Sequence, residues 1–365
     1  MTFHDGLETR PRAERESRLF ADLPRQVAHA KANAPFYREL LAGIDPQAVD
    51  SRAALAKLPV TRKAELMERQ RALAPFGGLN ATPASKLARI FMSPGPIYDP
   101  EGRAPDFWRT ARALFAAGFR EGDIALNCFS YHLTPAGSMF ETGLHRLGCA
   151  VIPGGVGQTE MQARVIADLA PSGYVGTPSF LKIILEKCDE LGLGAASIRR
   201  AMLSGEAFLP PVRAFLAGRG IEAFQAYGTA DLGVVAYETA AREGLVVSED
   251  LIVEILRPGT GDPLPDGEVG EVVVTTFNPD YPLLRFATGD LSAVLPGASP
   301  CGRTNVRIKG WMGRADQTTK VRGLFVHPHH VAEVLRRHGL ARGRLVVGNV
   351  AGEDRMTLHV EREGP

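Results

Sequence analysis

Cysteine is scarce in this chain. Four occur among 365 residues, at Cys128, Cys149, Cys188 and Cys301, and no two form a CxxC pair. A disulfide framework is thereby excluded, and a reduced, cytoplasmic protein is expected. Long apolar runs are missing too. None approaches the roughly 18 residues of a membrane-spanning helix, and Met1 to Arg18 is polar, without the apolar centre of a signal peptide. Charge of one sign is not in excess: 42 Lys and Arg oppose 41 Asp and Glu, a net +1. Electrostatic binding to nucleic acid or to a membrane is therefore not expected. Internal repeats and low-complexity tracts are absent. What remains is 45% hydrophobic sequence, enough for one large domain or two unequal ones.

Periodicity gives the organisation. Glu14 to Leu41 reads as helix, with Leu19, Phe20, Leu23, Val27 and Ala30 at helical spacing and with Pro24 and Pro35 expected to kink or break it. Pro59-Val-Thr61 reads as a strand end feeding a helix capped by Thr61. From Phe107 to Leu203 helices and strands alternate, which predicts a parallel α/β sheet covered by helices. After Glu243 short β runs and turn signals predict a smaller antiparallel region. Gly313 opens a short α+β module with a helix over Pro328 to His338. The predicted class is α/β, divided into residues 1–312 and a C-terminal subdomain, 313–365.

Three blocks carry chemistry: Ala226-Tyr-Gly-Thr-Ala-Asp231, Pro282-Leu-Leu-Arg-Phe-Ala-Thr-Gly-Asp290-Leu, and Gly313-Arg-Ala-Asp316-Gln-Thr-Thr-Lys-Val-Arg-Gly323. With Leu58-Pro-Val-Thr-Arg-Lys63, Val151-Ile-Pro-Gly154 and Gly176-Thr-Pro-Ser179, in this order, they resemble the adenylate-forming enzymes, most closely the phenylacetate–CoA ligase branch. The resemblance implies a carboxylic acid activated by ATP as an acyl-AMP, then usually passed to coenzyme A. It implies that Ser204, Gly205 and Glu206 border the adenine, and that Ala226, Tyr227 and Gly228 form its platform. Asp290 would accept bonds from both ribose hydroxyls, a task suited to an acceptor-only carboxylate. Arg314 would add a ribose or phosphate contact, and Asp316 would be a hinge. Gly323 would let a pantetheine arm pass close to backbone. Tyr131, His132 and Gly154 fall where the family places its acyl pocket.

The phosphate side departs from that pattern. The family's phosphate loop is rich in Ser, Thr and Gly and ends near a Lys. Here the segment reads Ser93-Pro-Gly-Pro-Ile-Tyr-Asp99-Pro-Glu101-Gly102, with three prolines that remove backbone donors, two carboxylates and no lysine. Asp231 stands where the family has the Glu that holds Mg²⁺; it is a hard oxygen ligand of shorter reach. No lysine follows Lys320, and by the resemblance the C-terminal domain is shortened. His327-Pro-His329-His330 is not expected to converge on a metal.

The function expected is an atypical adenylate-forming enzyme that takes ATP or AMP with Mg²⁺ and activates a hydrophobic, aromatic acid. Similarity to shortened members in secondary metabolism, including phenazine tailoring, suggests a downstream reductase or other acyl-acceptor enzyme as partner. A homodimer is compatible with this. Coenzyme A is doubtful, and the chain alone is expected to form no thioester. Two alternatives stay open: a pseudoenzyme that keeps an adenosine pocket, and a CoA ligase completed by a separate chain.

Overall fold

The computed structural model describes residues 2–317, 319–321, 324–350 and 353–361. The N-terminal segment is helical. Helices α1 (Arg12–Asn33), α2 (Pro35–Leu40) and α3 (Arg52–Leu55) lead to strand β1 (Thr61–Arg62), a 3-10 turn over Lys63–Glu65 and α4 (Leu66–Ala72). A hairpin of β2 (Arg89–Ser93) and β3 (Ile97–Glu101) follows. Then helices and strands alternate: α5 (Thr110–Ala116), β4 (Ile124–Asn127), α6 (Ala136–Arg146), β5 (Ala150–Pro153), α7 (Thr159–Leu169), β6 (Gly173–Gly176), α8 (Pro178–Glu190), β7 (Arg200–Leu203), α9 (Pro210–Gly218) and β8 (Glu222–Thr229). Strands then dominate: β9 (Gly233–Glu238), β10 (Leu245–Val247), β11 (Leu251–Leu256), β12 (Gly270–Thr276), β13 (Phe286–Ser292), β14 (Val294–Leu295), β15 (Arg307–Ile308), β16 (Thr319–Val321) and β17 (Leu324–Val326). Helix α10 (Pro328–Arg337) and the hairpin β18 (Arg342–Val350) to β19 (Glu353–Glu361) complete the described chain. No helix among the described residues is long and apolar enough to cross a membrane.

Local chemistry explains most boundaries, and three differ from expectation. Helix α1 runs through Pro24. Its buried face of Leu19, Leu23, Val27 and Ala30 packs on both sides of the proline, which outweighs the lost backbone bond. Pro35 does end it, as the first residue of α2, where a missing N–H costs nothing. Thr61 caps no helix; its hydroxyl donates to the Leu284 carbonyl at 3.1 Å. Helix α5 starts three residues later than predicted because Asp106 accepts from the backbone N–H of Thr110 at 2.7 Å and of Ala111 at 3.1 Å, a side-chain cap.

A nine-stranded sheet has the order β14-β15-β10-β9-β8-β7-β6-β4-β5. From β5 to β8 neighbours run parallel; from β8 to β14 they run antiparallel. The expected antiparallel region is thus partly continuous with the main sheet. The change occurs within β8. Residues 222–225 pair with β7, and Ala226–Thr229 pair with β9 through a bulge at Tyr227/Gly228. This switch point, where one strand changes from parallel to antiparallel pairing, leaves a crevice at the ends of β7 and β8. A second sheet, β1-β13-β12-β11, is antiparallel except that β1 runs parallel to β13, with Arg62 opposite Ala287. That pairing carries Lys63 toward the end of β13 where Asp290 lies.

Apolar residues fill three regions: beneath α1, α2 and the second sheet, and on each face of the parallel strands. One buried ion pair ties the first region together. Arg285 donates to both Glu254 oxygens at 3.0 Å and to the carbonyls of Ala56 (2.8 Å), Leu58 (2.6 Å) and Gly261 (2.8 Å). Arg285→Met is expected to cost about 3–5 kcal/mol, because it strands Glu254 as an unpaired buried charge. Chemical denaturation should show this, and adding Glu254→Leu should recover only part of it, since three carbonyls stay unsatisfied.

Candidate functional site

At the switch point lies a cavity of about 670 Å³. Ser204, Gly205, Glu206, Ala226, Tyr227, Gly228 and Asp290 line it, together with Phe208, Leu245, Lys309 and Trp311. The strand ends set this wall. Ser204 follows β7, and its hydroxyl donates to the Ala226 carbonyl at 2.9 Å, tying the two strand ends together. Glu206 accepts from the Ser179 N–H at 2.6 Å. Gly228 can carry no side chain, because a Cβ there would lie 2.5 Å from the Gly233 carbonyl oxygen.

Asp290 is the centre of a tight network. Its Oδ2 accepts from the Tyr227 hydroxyl at 3.0 Å; its Oδ1 accepts from Arg314 at 3.2 Å and from the Trp311 indole N–H at 3.1 Å. The Tyr227 hydroxyl also lies 3.2 Å from the Thr288 hydroxyl. Burial, then the Asp290 charge, holds the Tyr227 phenol well above its ordinary pKa, so it remains a donor. The preceding Gly289 has φ +77°, and a Cβ would lie 2.6 Å from the Arg314 guanidinium. Glycine is required there on both counts.

A second cluster involves Asp231. Its Oδ2 accepts from Lys63 Nζ at 2.5 Å and from the Thr229 hydroxyl at 3.2 Å, while Oδ1 has no hydrogen-bond partner. Asp99 on β3 is fully buried nearby with both carboxylate oxygens unpartnered, and the Tyr281 hydroxyl is likewise buried and unpartnered. Burial, then the charge of Asp231, pushes the Asp99 carboxyl up to about 8. Burial disfavours the Lys63 charge, but Asp231, Asp99 and Asp290 outweigh it and hold that amine above its ordinary value. Lys63 is therefore a cation bonded to Asp231, with Asp99 and Asp290 near enough to act on its charge.

This arrangement corrects the reading of the Ser93–Gly102 segment. The segment is a hairpin, not an open loop, and its two acids are not equivalent. Glu101 is buried against Arg89 (2.6 Å) and Ser138 (3.3 Å). Burial and the charge of Asp231 favour the protonated form of Asp99. The segment's own lysine is missing, yet Lys63 supplies a cation from 168 residues before Asp231. Its position next to Thr61-Arg62 was legible; its proximity to Asp231 was not.

Tyr131, His132 and Gly154 do not line the cavity. Tyr131 donates to Glu141 at 2.7 Å and accepts from Asn127 at 2.8 Å. His132 is exposed, and a Cβ at Gly154 would meet Leu126 at 2.8 Å. Asp316 is exposed, 3.5 Å from Arg314. Gly323 lies outside the described residues. His327, His329 and His330 lie with ring centroids 4.0–5.6 Å apart, and among the described residues no three His, Cys, Asp or Glu are placed to hold a metal.

Comparison with known proteins converges on one family. A family described as AMP-binding enzyme matches residues 107–278. A phenylacetate-coenzyme A ligase of Thermus thermophilus is 34% identical over 352 residues, 92% of this chain and 78% of the relative. Another from Aromatoleum evansii is 34% identical over 326 residues, 85% and 72% of the two chains. The solved structure of an open 2-hydroxyisobutyryl-CoA ligase with 2-HIB-AMP and CoA superposes with a TM-score of 0.86 at 26% identity, covering 97% of this chain and 81% of that one. The chain therefore belongs to the AMP-binding, adenylate-forming enzymes, in their phenylacetate–CoA ligase branch, and is a carboxylate-activating ligase of the acyl-CoA ligase type.

Proposed function

We propose that the cavity at the β8 switch point takes the adenosine of ATP and of the acyl-adenylate, with Asp290 on the ribose. Lys63 would then face the α-phosphate. The observation that carries this reading is that Lys63 is bonded to Asp231 at 2.5 Å and also feels the charge of Asp290, the carboxylate that lines the cavity. Asp231 is the catalytic residue in this reading. The orphaned Oδ1 of Asp231 and the unpartnered oxygens of Asp99 are hard, buried donors that fit Mg²⁺. When bound, the ion would neutralise phosphate charge. The Lys63 amine would stabilise the charge that builds on the α-phosphate as the acid's carboxylate attacks it. Tyr227 and Arg314 would hold Asp290 in place for the ribose.

An aromatic or otherwise hydrophobic acid fits the names of the phenylacetate ligases above, and coenzyme A is the acceptor those names favour. That reading replaces the expectation of no thioester. Division at Gly313, with Asp316 as hinge, belongs to the same proposal, as does a role in secondary metabolism.

The test is ATP–pyrophosphate exchange over a panel of aromatic acids, with coenzyme A then added and thioester sought by mass spectrometry. Exchange with at least one acid is expected, and Lys63→Met should lower it about 10²–10³-fold while weakening AMP binding less, because the charge on the α-phosphate is greatest in the transition state. Bound AMP without exchange for any acid would favour a nucleotide-binding module instead. ATP is expected to bind no more tightly than AMP. Prolines occupy positions 94, 96 and 100, and the N–H groups of Met92 and Tyr98 are consumed by Leu133 and Gln70 at 2.8 and 2.7 Å. Affinity for ATP tenfold above that for AMP, by titration, would mean that the hairpin cradles phosphate after all.

A further inference from the structure

The Asp290 carboxylate holds more donors than its proposed role allows. Two oxygens offer about four acceptor sites. Three are taken, by Tyr227, Arg314 and Trp311. Two ribose hydroxyls would bring the total to five, so one protein donor must leave. Tyr227 is buried and anchored to Thr288. Arg314 is anchored to the Thr288 carbonyl at 3.3 Å, and it packs on Gly289. The Trp311 indole is 52% exposed, and its N–H has no other bond. It sits in a segment flanked by Gly310 and Gly313, both at positive φ, where backbone can turn most freely.

We infer that Trp311 is a nucleotide-binding residue of this cavity: its indole N–H stands in for a ribose hydroxyl on Asp290 when the site is empty, yields that bond to the entering nucleotide, and leaves its ring lying against the nucleoside. The inference rests on the reading of the cavity as the adenosine site. It makes the ribose hydroxyls the trigger. A nucleotide without them has nothing to exchange for the indole bond. The aromatic face, which is sequence-tolerant toward any base, is then not redeployed.

The chain reports on this directly, because it has two tryptophans and the other, Trp108, is buried. AMP should change the tryptophan emission, 2′,3′-dideoxy-AMP should not, and Trp311→Phe should abolish the change. That variant keeps a ring and removes the competing donor, so AMP should bind about two- to tenfold tighter, the worth of one net hydrogen bond. Trp311→Ala should bind AMP more weakly than Trp311→Phe. Calorimetric AMP binding with silent emission, or with equal affinity in wild type and Trp311→Phe, overturns the role of Trp311 and leaves the cavity reading standing. No AMP binding to the wild type overturns both.

Discussion

Asp290→Ala is expected to weaken AMP binding by about 2–4 kcal/mol, roughly 30- to 1000-fold, because it removes two charge-assisted bonds to the ribose. The structure adds a second cost. Tyr227 and Arg314 now share this carboxylate at 3.0 and 3.2 Å, and without it a buried phenol and a guanidinium lose their acceptor. The carboxylate also sits 14% exposed at the side chain, so water replaces it poorly. Asp290→Asn keeps one acceptor oxygen and should fall between wild type and alanine. Calorimetry with AMP measures all three. Unchanged affinity in the alanine variant removes Asp290 from the site. The loss should also exceed the effect of any change at Tyr131 or His132, which do not line the cavity.

Asp99→Asn should stabilise the protein, and increasingly so as pH rises. The Asp99 carboxyl is pushed from its ordinary 3.8 to about 8, by burial and then by the charge of Asp231. The sign follows from linkage. Between those values the folded state keeps a proton that the unfolded chain has released, so the folded state binds more protons and its stability falls with pH across that window. Above about 8 the carboxylate ionises in place beside Asp231, and the loss levels off. Asparagine has the same shape and does not titrate. The stability of Asp99→Asn relative to wild type, by chemical denaturation, should therefore be small near pH 4 and grow to a plateau above about pH 8. A difference that stays flat across that range means Asp99 is not protonated at neutral pH. Millimolar Mg²⁺ should shrink the gap if Asp99 and Asp231 hold the ion, because the metal favours the ionised form.

That Ser204 to Glu206, Ala226 to Gly228 and Asp290 belong together was legible because their chemistry is local. Each sits in a short turn or strand end, and glycines mark the special positions: 228 and 289 leave no room for a side chain, and 205 has positive φ. The alternation of helices and strands from Thr110 to Thr229 was legible for a related reason. Period and length alone separate the two states there, and they follow from which face each element buries.

What the tertiary structure decided depends on pairing across long stretches of chain. A two-residue strand, Thr61–Arg62, lies parallel to β13, and nothing in its composition says which strand it will join. That single pairing delivers Lys63 to Asp231. Burial changed the weight of Asp99: counted along the sequence it is a negative charge, while inside the protein, beside Asp231, its protonated form is favoured. Packing on both sides of Pro24 decided that α1 continues. Exposure decided which donor on Asp290 is free to move, and the sequence marks Trp311 only as an aromatic between glycines. Residue type and local spacing determined which groups could do chemistry; long-range strand pairing and burial determined which of them meet and which carry charge when they do, because both depend on neighbours that lie far away along the chain.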